Sequence, residues 1–166
     1  EIVPVNTAPL DAAVDGATVK RTFNAITDPY ALLTTTGASW FQFGFAQQGQ
    51  YLVTARSVIA GANAANQGAV GSRLVFLDNN GGGSTVFQGQ YVVTNIAFFT
   101  GVDITVAECT ICFVLGIDST NISHAFSLAQ YGKIYGASTT IGFGIAANIG
   151  TLDETYLDMT VQPLYV

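Results

Sequence analysis

From Ala17 onward, short runs rich in Val, Ile, Phe, Tyr and Thr are separated by clusters of Gly, Asn, Asp and Ser. In FAQQGQYLVTARSV (Phe45 to Val58) a polar turn leads into a run where Tyr51, Val53 and Ala55 alternate with Leu52, Thr54 and Arg56. A period of two is that of a strand, whose successive side chains point to opposite faces of a sheet. The pattern predicts strands near Val19–Ile26, Trp40–Ala46, Gln50–Ala60, Arg73–Leu77, Thr85–Thr94, Ile104–Leu115, Ala125–Tyr131, Thr139–Ala146 and Tyr156–Tyr165. Between them TTTGAS, AQQGQ, DNNGGGST, FTGVD and GIDSTN carry the residues that turns demand. No stretch sustains a 3.6-residue apolar period, and GANAANQGAV (Gly61 to Val70) reads as a loop because its glycines and asparagines oppose a helix. About nine strands exceed one flat sheet, so an all-β antiparallel sandwich of two packed sheets is expected. No repeat of fixed period points to a propeller or solenoid.

The first ten residues, EIVPVNTAPL, place prolines at Pro4 and Pro9, which oppose a helix and favour an extended arm. Residues 1–16 are therefore read as an N-terminal arm and 17–166 as one sandwich domain, with Ile2, Val3, Pro4 and Val5 as the arm's contact residues. Such an arm lies on its own domain or reaches a neighbour. The chain starts at Glu1, which suggests a processed product.

Composition sharpens this picture. Of the 166 residues 49% are apolar and only 10% charged, against about 25% charged in an ordinary globular chain. So few ionised side chains predict that sister copies cover part of the surface, the alternative being that its plentiful Ser, Thr, Asn and Gln keep it wet. The net charge is −6, and the five cations Lys20, Arg21, Arg56, Arg73 and Lys133 form no basic arm. Direct nucleic-acid binding is disfavoured, since each phosphate contact wants a cation. No apolar run reaches the roughly 18 residues of a membrane span.

Candidate chemistry is sparse. Cys109 and Cys112 form CTIC, the spacing of redox and zinc motifs, but ITVAECTICFVL reads as a strand. Residues three apart there point to opposite faces and sit roughly 10 Å apart, beyond disulfide reach. With one histidine and no third cysteine, zinc lacks ligands, and two free, buried thiols are expected. His124 is the sole imidazole; no GxSxG elbow offers it a nucleophile, so a packing or contact role is expected at a loop or strand end. Asp78, Asp103, Asp118, Asp153 and Glu154 fall mostly in turns, and Glu108, inside an apolar strand, is expected to face solvent, pair with an arginine or lie at a subunit boundary. DNNGGG is similar to the start of a calcium loop without its closing glutamate, so calcium is the one cofactor weighed and none is assigned. Gly81-Gly82-Gly83 runs into a strand and not into Lys-Ser/Thr and a helix, so it is a hairpin tip and no phosphate cradle. Asn121-Ile122-Ser123 matches the glycosylation triplet, and Trp40, Phe41, Phe43 and Phe45 read as core aromatics. No nucleophile, metal set or cofactor fingerprint marks an enzyme.

An aromatic strand, a turn ending in glycine, then Tyr-x-Val-x-Ala resembles the signature of the tumour necrosis factor and complement globular-head superfamily. Phe43 or Phe45, Gly49, Tyr51, Val53 and Ala55 fill its places. SRLVFLDNNG is similar to the family's strand and Asn-Gly turn, and TLDETYLDMTVQPLYV to its last strand, with MTVQPLYV where the family closes on Phe-x-Gly-x-Leu. The resemblance implies a ten-strand jelly roll that packs as a homotrimer, with Tyr51, Val53, Tyr156, Met159, Leu164 and Tyr165 at the subunit interface. It also implies a structural protein of a virion or similar particle (capsid subunit, decoration or spike head), virion-surface or extracellular. Its partners would be its own copies and other shell subunits, with neither nucleic acid nor membrane. The alternative expectation is a head module binding a host glycan or receptor through loops around Gly61–Gly71 and Asp78–Thr85.

Overall fold

A computed structural model describes residues 2–3, 16–35, 41–63, 68–80, 83–95, 103–136, 139–142, 154–155 and 157–164. Among them there is no helix, so none long and apolar enough to cross a membrane. The strands, in chain order, are β1 Ile2–Val3, β2 Ala17–Lys20, β3 Leu33–Thr35, β4 Phe43–Phe45, β5 Gly49–Asn63, β6 Gly68–Asp78, β7 Ser84–Gln88, β8 Val92–Asn95, β9 Asp103–Ile117, β10 Phe126–Gly136, β11 Thr139–Gly142, β12 Glu154–Thr155 and β13 Leu157–Leu164.

They form two facing antiparallel sheets that do not close into a barrel. One is seven-stranded, running β3-β4-β10-β6-β7 with β2 on β10 and β8 on β6. The other is three strands wide: β5 pairs along its whole length with β9, while its second edge takes β13 over Gln50–Ser57 and β11 over Ala60–Asn63. A two-residue pair, β1 with β12, stands apart. One set of pairings is nested about the β6–β7 hairpin: β6 with β7 and β8, then β5 with β9, then β4 and β2 with β10, then β1 with β12; β6 with β10, and β5 with β11 and β13, cross that order and complete the two sheets.

The core lies between the sheets. From the narrow sheet come Tyr51, Val53, Ala55, Cys109, Ile111, Leu115, Ile117 and Leu157; from the wide one, Phe43, Phe45, Leu74, Phe76, Phe126 and Leu128. Each large apolar side chain so buried contributes about 1.5–3 kcal/mol. Aromatic rings fill the middle edge to face, as in Phe45–Phe126 at 5.5 Å and Phe43–Phe76 at 5.8 Å, while Phe87 stacks flat on Phe113 at 4.5 Å. Phe41 instead lies outside, and Trp40 is outside the described residues.

Four sequence expectations are corrected. The strand near Val19–Ile26 ends at Lys20, beyond which Arg21 still donates its N–H to Leu128 O and Phe23 forms an isolated bridge. Thr85–Thr94 divides into β7 and β8 at Gly89, which packs so tightly that an added Cβ would meet Ile111 at 2.6 Å and Thr110 O at 3.2 Å. β3, Leu33–Thr35, takes the first two residues of TTTGAS, which reads as a turn; residues 36–39 are outside the described residues. Gly61 to Val70 is mostly strand, since β5 continues to Asn63 and β6 begins at Gly68. Thr139–Ala146 is described as far as Gly142, and the last strand is Leu157–Leu164.

Candidate functional site

The pleat of the narrow sheet sorts each strand into two sets. Tyr51, Val53, Ala55 and Ser57 point inward, so Gln50, Leu52, Thr54 and Arg56 point out. Register then lays the outer residues in rows across β9, β5 and β13: Gly116–Gln50–Leu164, Val114–Leu52–Gln162, Cys112–Thr54–Thr160 and Thr110–Arg56–Asp158. Val114 is 56% exposed and Leu164 37%. Within these rows only Arg56 and Asp158 are ionised. Glu108, beside them, takes a bidentate pair from Arg56, Nε to Oε1 at 2.8 Å and Nη2 to Oε2 at 2.8 Å. That hydrogen bond holds the Glu108 carboxyl below its ordinary range and raises the Arg56 guanidinium further. Thr54 Oγ1 donates to Cys112 Sγ at 3.7 Å. The outcome is a sheet face of small polar and aliphatic side chains with its one cation already neutralised.

Tyr51 and Val53, expected at a subunit interface, are corrected: at 2% and 0% exposure they fill the chain's own core. Tyr51 and Leu52 are both apolar, and alternation alone does not say which set faces in. Met159 points inward and is half-buried, Leu164 lies on the outer face, and Tyr156 and Tyr165 are outside the described residues. Ile2 and Val3 pair with Thr155 and Glu154 of the same chain, and Pro4 and Val5 are outside the described residues. Leu52, Thr54, Val114, Thr160 and Gln162 were missed, although the same alternation carries them.

The cysteines face opposite ways, as a strand requires, and both are free. Cys109 is buried, which pushes its thiol up. Cys112 is exposed, which corrects the expectation of two buried thiols. Glu108 faces solvent and pairs with an arginine, as expected.

His124 is held at the end of the wide sheet. Its Nδ1 lies 2.7 Å from Asp78 Oδ2, at the end of β6, and its Nε2 lies 2.8 Å from Asn80 Nδ2. With an amide donor on Nε2, the ring donates from Nδ1 to the carboxylate, and Asp78 Oδ1 also accepts the Asn80 N–H at 2.9 Å. The imidazole therefore ties the β6 turn to the start of β10, and the nitrogen a general base would use is occupied by the amide. A cavity of about 200 Å³ beside it is lined by Thr34, Gln42, Phe43, Gly44 and Ser123. Asp78, the first residue of the calcium-loop-like stretch, spends both oxygens on these contacts, and the described residues contain no group of three metal-ligating side chains. Of the two proposed contact loops, Gly61–Asn63 and Gly68–Gly71 are strand, and Asn79, Asn80 and Gly83 are the described part of the other's turn.

The glycosylation triplet is structural in form. Asn121 Oδ1 accepts from Asp118 N at 2.8 Å and its Nδ2 donates to Gly116 O at 3.0 Å. A larger groove, about 360 Å³, runs between Phe23, Ile26, Leu32 and the β13 residues Met159 and Val161. Its Asp28 accepts the backbone N–H groups of Leu32 and Leu33 at 2.9 and 2.8 Å. Comparison with protein-family models, with curated proteins and with solved structures gives no match.

Proposed function

We propose that this chain is a structural subunit of a virion or similar particle surface, self-associating through the outer face of the β9–β5–β13 sheet into a homotrimer. The observation that carries the reading is the near-neutral character of that face, from Val114 and Leu52 through Thr54 and Cys112 to Thr160 and Gln162. Interface cores are depleted in charge, as the middle rows of this face are. The jelly roll belongs to the same proposal. Its support is the nested pairing about the β6–β7 hairpin, the order obtained when one long antiparallel ribbon is rolled into two sheets. An acidic chain of net charge −6 suits a position away from packaged nucleic acid.

Sedimentation velocity of the full chain over a hundredfold concentration range tests this, with Val114→Asp as the probe. A carboxylate in the middle of a buried neutral face cannot be paired, so the variant should remain monomeric where the parent associates. Cys112 gives a second readout without mutation: its reaction with a thiol reagent should slow as concentration rises. A parent that stays monomeric throughout, or an aspartate variant that associates equally well, defeats the proposal.

A further inference from the structure

The opposite outer face, that of the seven-stranded sheet, has a different chemistry. Tyr131 is the cross-strand partner of Arg73, and Tyr91, the residue before β8, flanks Arg73 from the other side because Val92 pairs with Ser72. The two tyrosine rings lie 5.9 Å apart at 54°, and the guanidinium carbon of Arg73 sits 5.5 Å from the centre of the Tyr131 ring. Tyr91 reaches its place by lying over Gly71, where an added Cβ would collide with the phenol. A glycine inside a strand weakens it, and one common reason for keeping it is the close approach of another group. Here the group is a ring that is 38% exposed.

Arg73 is the informative residue. It is half-buried, and its Nε, itself buried, has no hydrogen-bond partner among the described residues. No carboxylate among the described residues forms an ion pair with it; the described ion pairs are Arg56–Glu108 and His124–Asp78. An arginine stays charged at any ordinary pH, and a guanidinium with no ion pair to a described residue is open to an external anion. Lys20 and Lys133 are on the same face, so three of the five cations of an acidic chain gather there. Lys20 lies over the exposed ring of Phe41 at 5.7 Å.

We infer that the Tyr91–Arg73–Tyr131 row is a binding site for a carboxylated sugar ring. The guanidinium fork matches a carboxylate, and the two tilted phenol rings offer π faces to a pyranose. A polyanion such as nucleic acid would meet the repulsion of the net charge of −6. The site lies on the sheet opposite the self-association face, so either proposal can fail alone.

The test is a titration of the full chain with methyl glucuronide, methyl glucoside and free glutamate, read from the NMR signals of Tyr91 and Tyr131. Glucuronide should shift both rings saturably and bind at least tenfold more tightly than glucoside or glutamate. Arg73→Leu should erase the preference for glucuronide over glucoside, and Arg73→Lys, which keeps the charge but not the fork, should lose most of it. Gly71→Ala should displace Tyr91 and weaken both sugars, while circular dichroism shows the sheets intact. Equal binding of glucoside and glucuronide, glutamate as good as the sugar acid, or an Arg73→Leu variant that binds normally would overturn the site. So would an Arg73→Leu variant altered only in its sedimentation, which would make the row a contact between copies.

Discussion

Ser57 is a small residue at which the packing of the two sheets can be tested directly. Its Oγ donates to Gln130 Oε1 at 2.6 Å, and Gln130 Nε2 donates to Ser72 Oγ at 3.0 Å. Ser72 Oγ in turn donates to Tyr131 O at 2.8 Å. Ser57, Ser72 and Gln130 are all 0% exposed, so this chain crosses the buried core from β5 to β10 and β6. In Ser57→Ala the amide oxygen of Gln130 loses its donor, and a buried acceptor left unsatisfied costs about 1–3 kcal/mol. For a domain of this size each kcal/mol moves the midpoint by about 2–4 °C, so a loss near 2 kcal/mol lowers Tm by about 4–8 °C. Gln130→Leu should be destabilising for the same reason, because it strands the Ser57 hydroxyl. The double variant, with the polar pair gone, should be less damaged than the two losses added, by about 1 kcal/mol or more. Urea denaturation at one fixed protein concentration, followed by circular dichroism, gives all three values. A Ser57→Ala variant within about 0.5 kcal/mol of the parent, or strict additivity of the pair, would refute a cross-core polar link.

Three further outcomes are expected. Burial raises the Cys109 thiol above its unfolded value, against a smaller lowering by Ser72, so the folded chain holds its proton longer than the unfolded one. Stability is then fully present below the unfolded thiol pKa of about 8.5 and falls above it, by up to about 1.4 kcal/mol per pH unit. Denaturation between pH 8 and 9.5 should show that slope in the parent and lack it in Cys109→Ala. Asn121→Ala should lose about 1 kcal/mol in thermal melts by opening the Gly116–Asp118 bracket. Expressed in a glycosylating host, the parent should keep its unmodified mass at that site. Gly89→Ala should lose about 1–3 kcal/mol in urea, because the new methyl meets Ile111 on one side and the carbonyls of Thr110 and Leu74 on the others.

Much of the architecture was legible because it rests on period and punctuation. β5, β9 and β10 have unbroken alternation and lie where the pattern places them. What a single period cannot supply is phase. In β5 both sets begin with a large apolar residue, and only the partner sheet decides that Tyr51 goes in and Leu52 out. A phase signal was nevertheless present, since Ser57 continues the Tyr51–Val53–Ala55 set and Gln130 continues Phe126–Leu128. Polar residues in step with apolar ones suggest a buried hydrogen-bonded pair, and that reading would have identified both the core face and its polar link. The break at Gly89 was illegible for another reason: it depends on how near β9 approaches, a distance that no local pattern carries.

The sandwich is unequal in a way that gives assembly a direction. Its two outer faces are built by the same alternation, yet one carries Val114, Leu52, Thr54 and Gln162, and the other Lys20, Arg73, Tyr91 and Lys133. A copy that buried the rows Val114–Leu52–Gln162 and Cys112–Thr54–Thr160 against sisters would desolvate no charge, because Arg56, Glu108 and Asp158 lie at one end of that face. The face with Arg73 then stays outward, where a counter-ion from solution can reach it. The scarcity of charge, 10% of the residues, thus matters less than its placement. Had Arg56 and Arg73 exchanged surroundings, the narrow sheet would present to a sister copy a cation with no ion pair among the described residues, and the wide sheet would lose its open guanidinium. Self-association through the narrow sheet and anion capture on the wide one would then both be disfavoured.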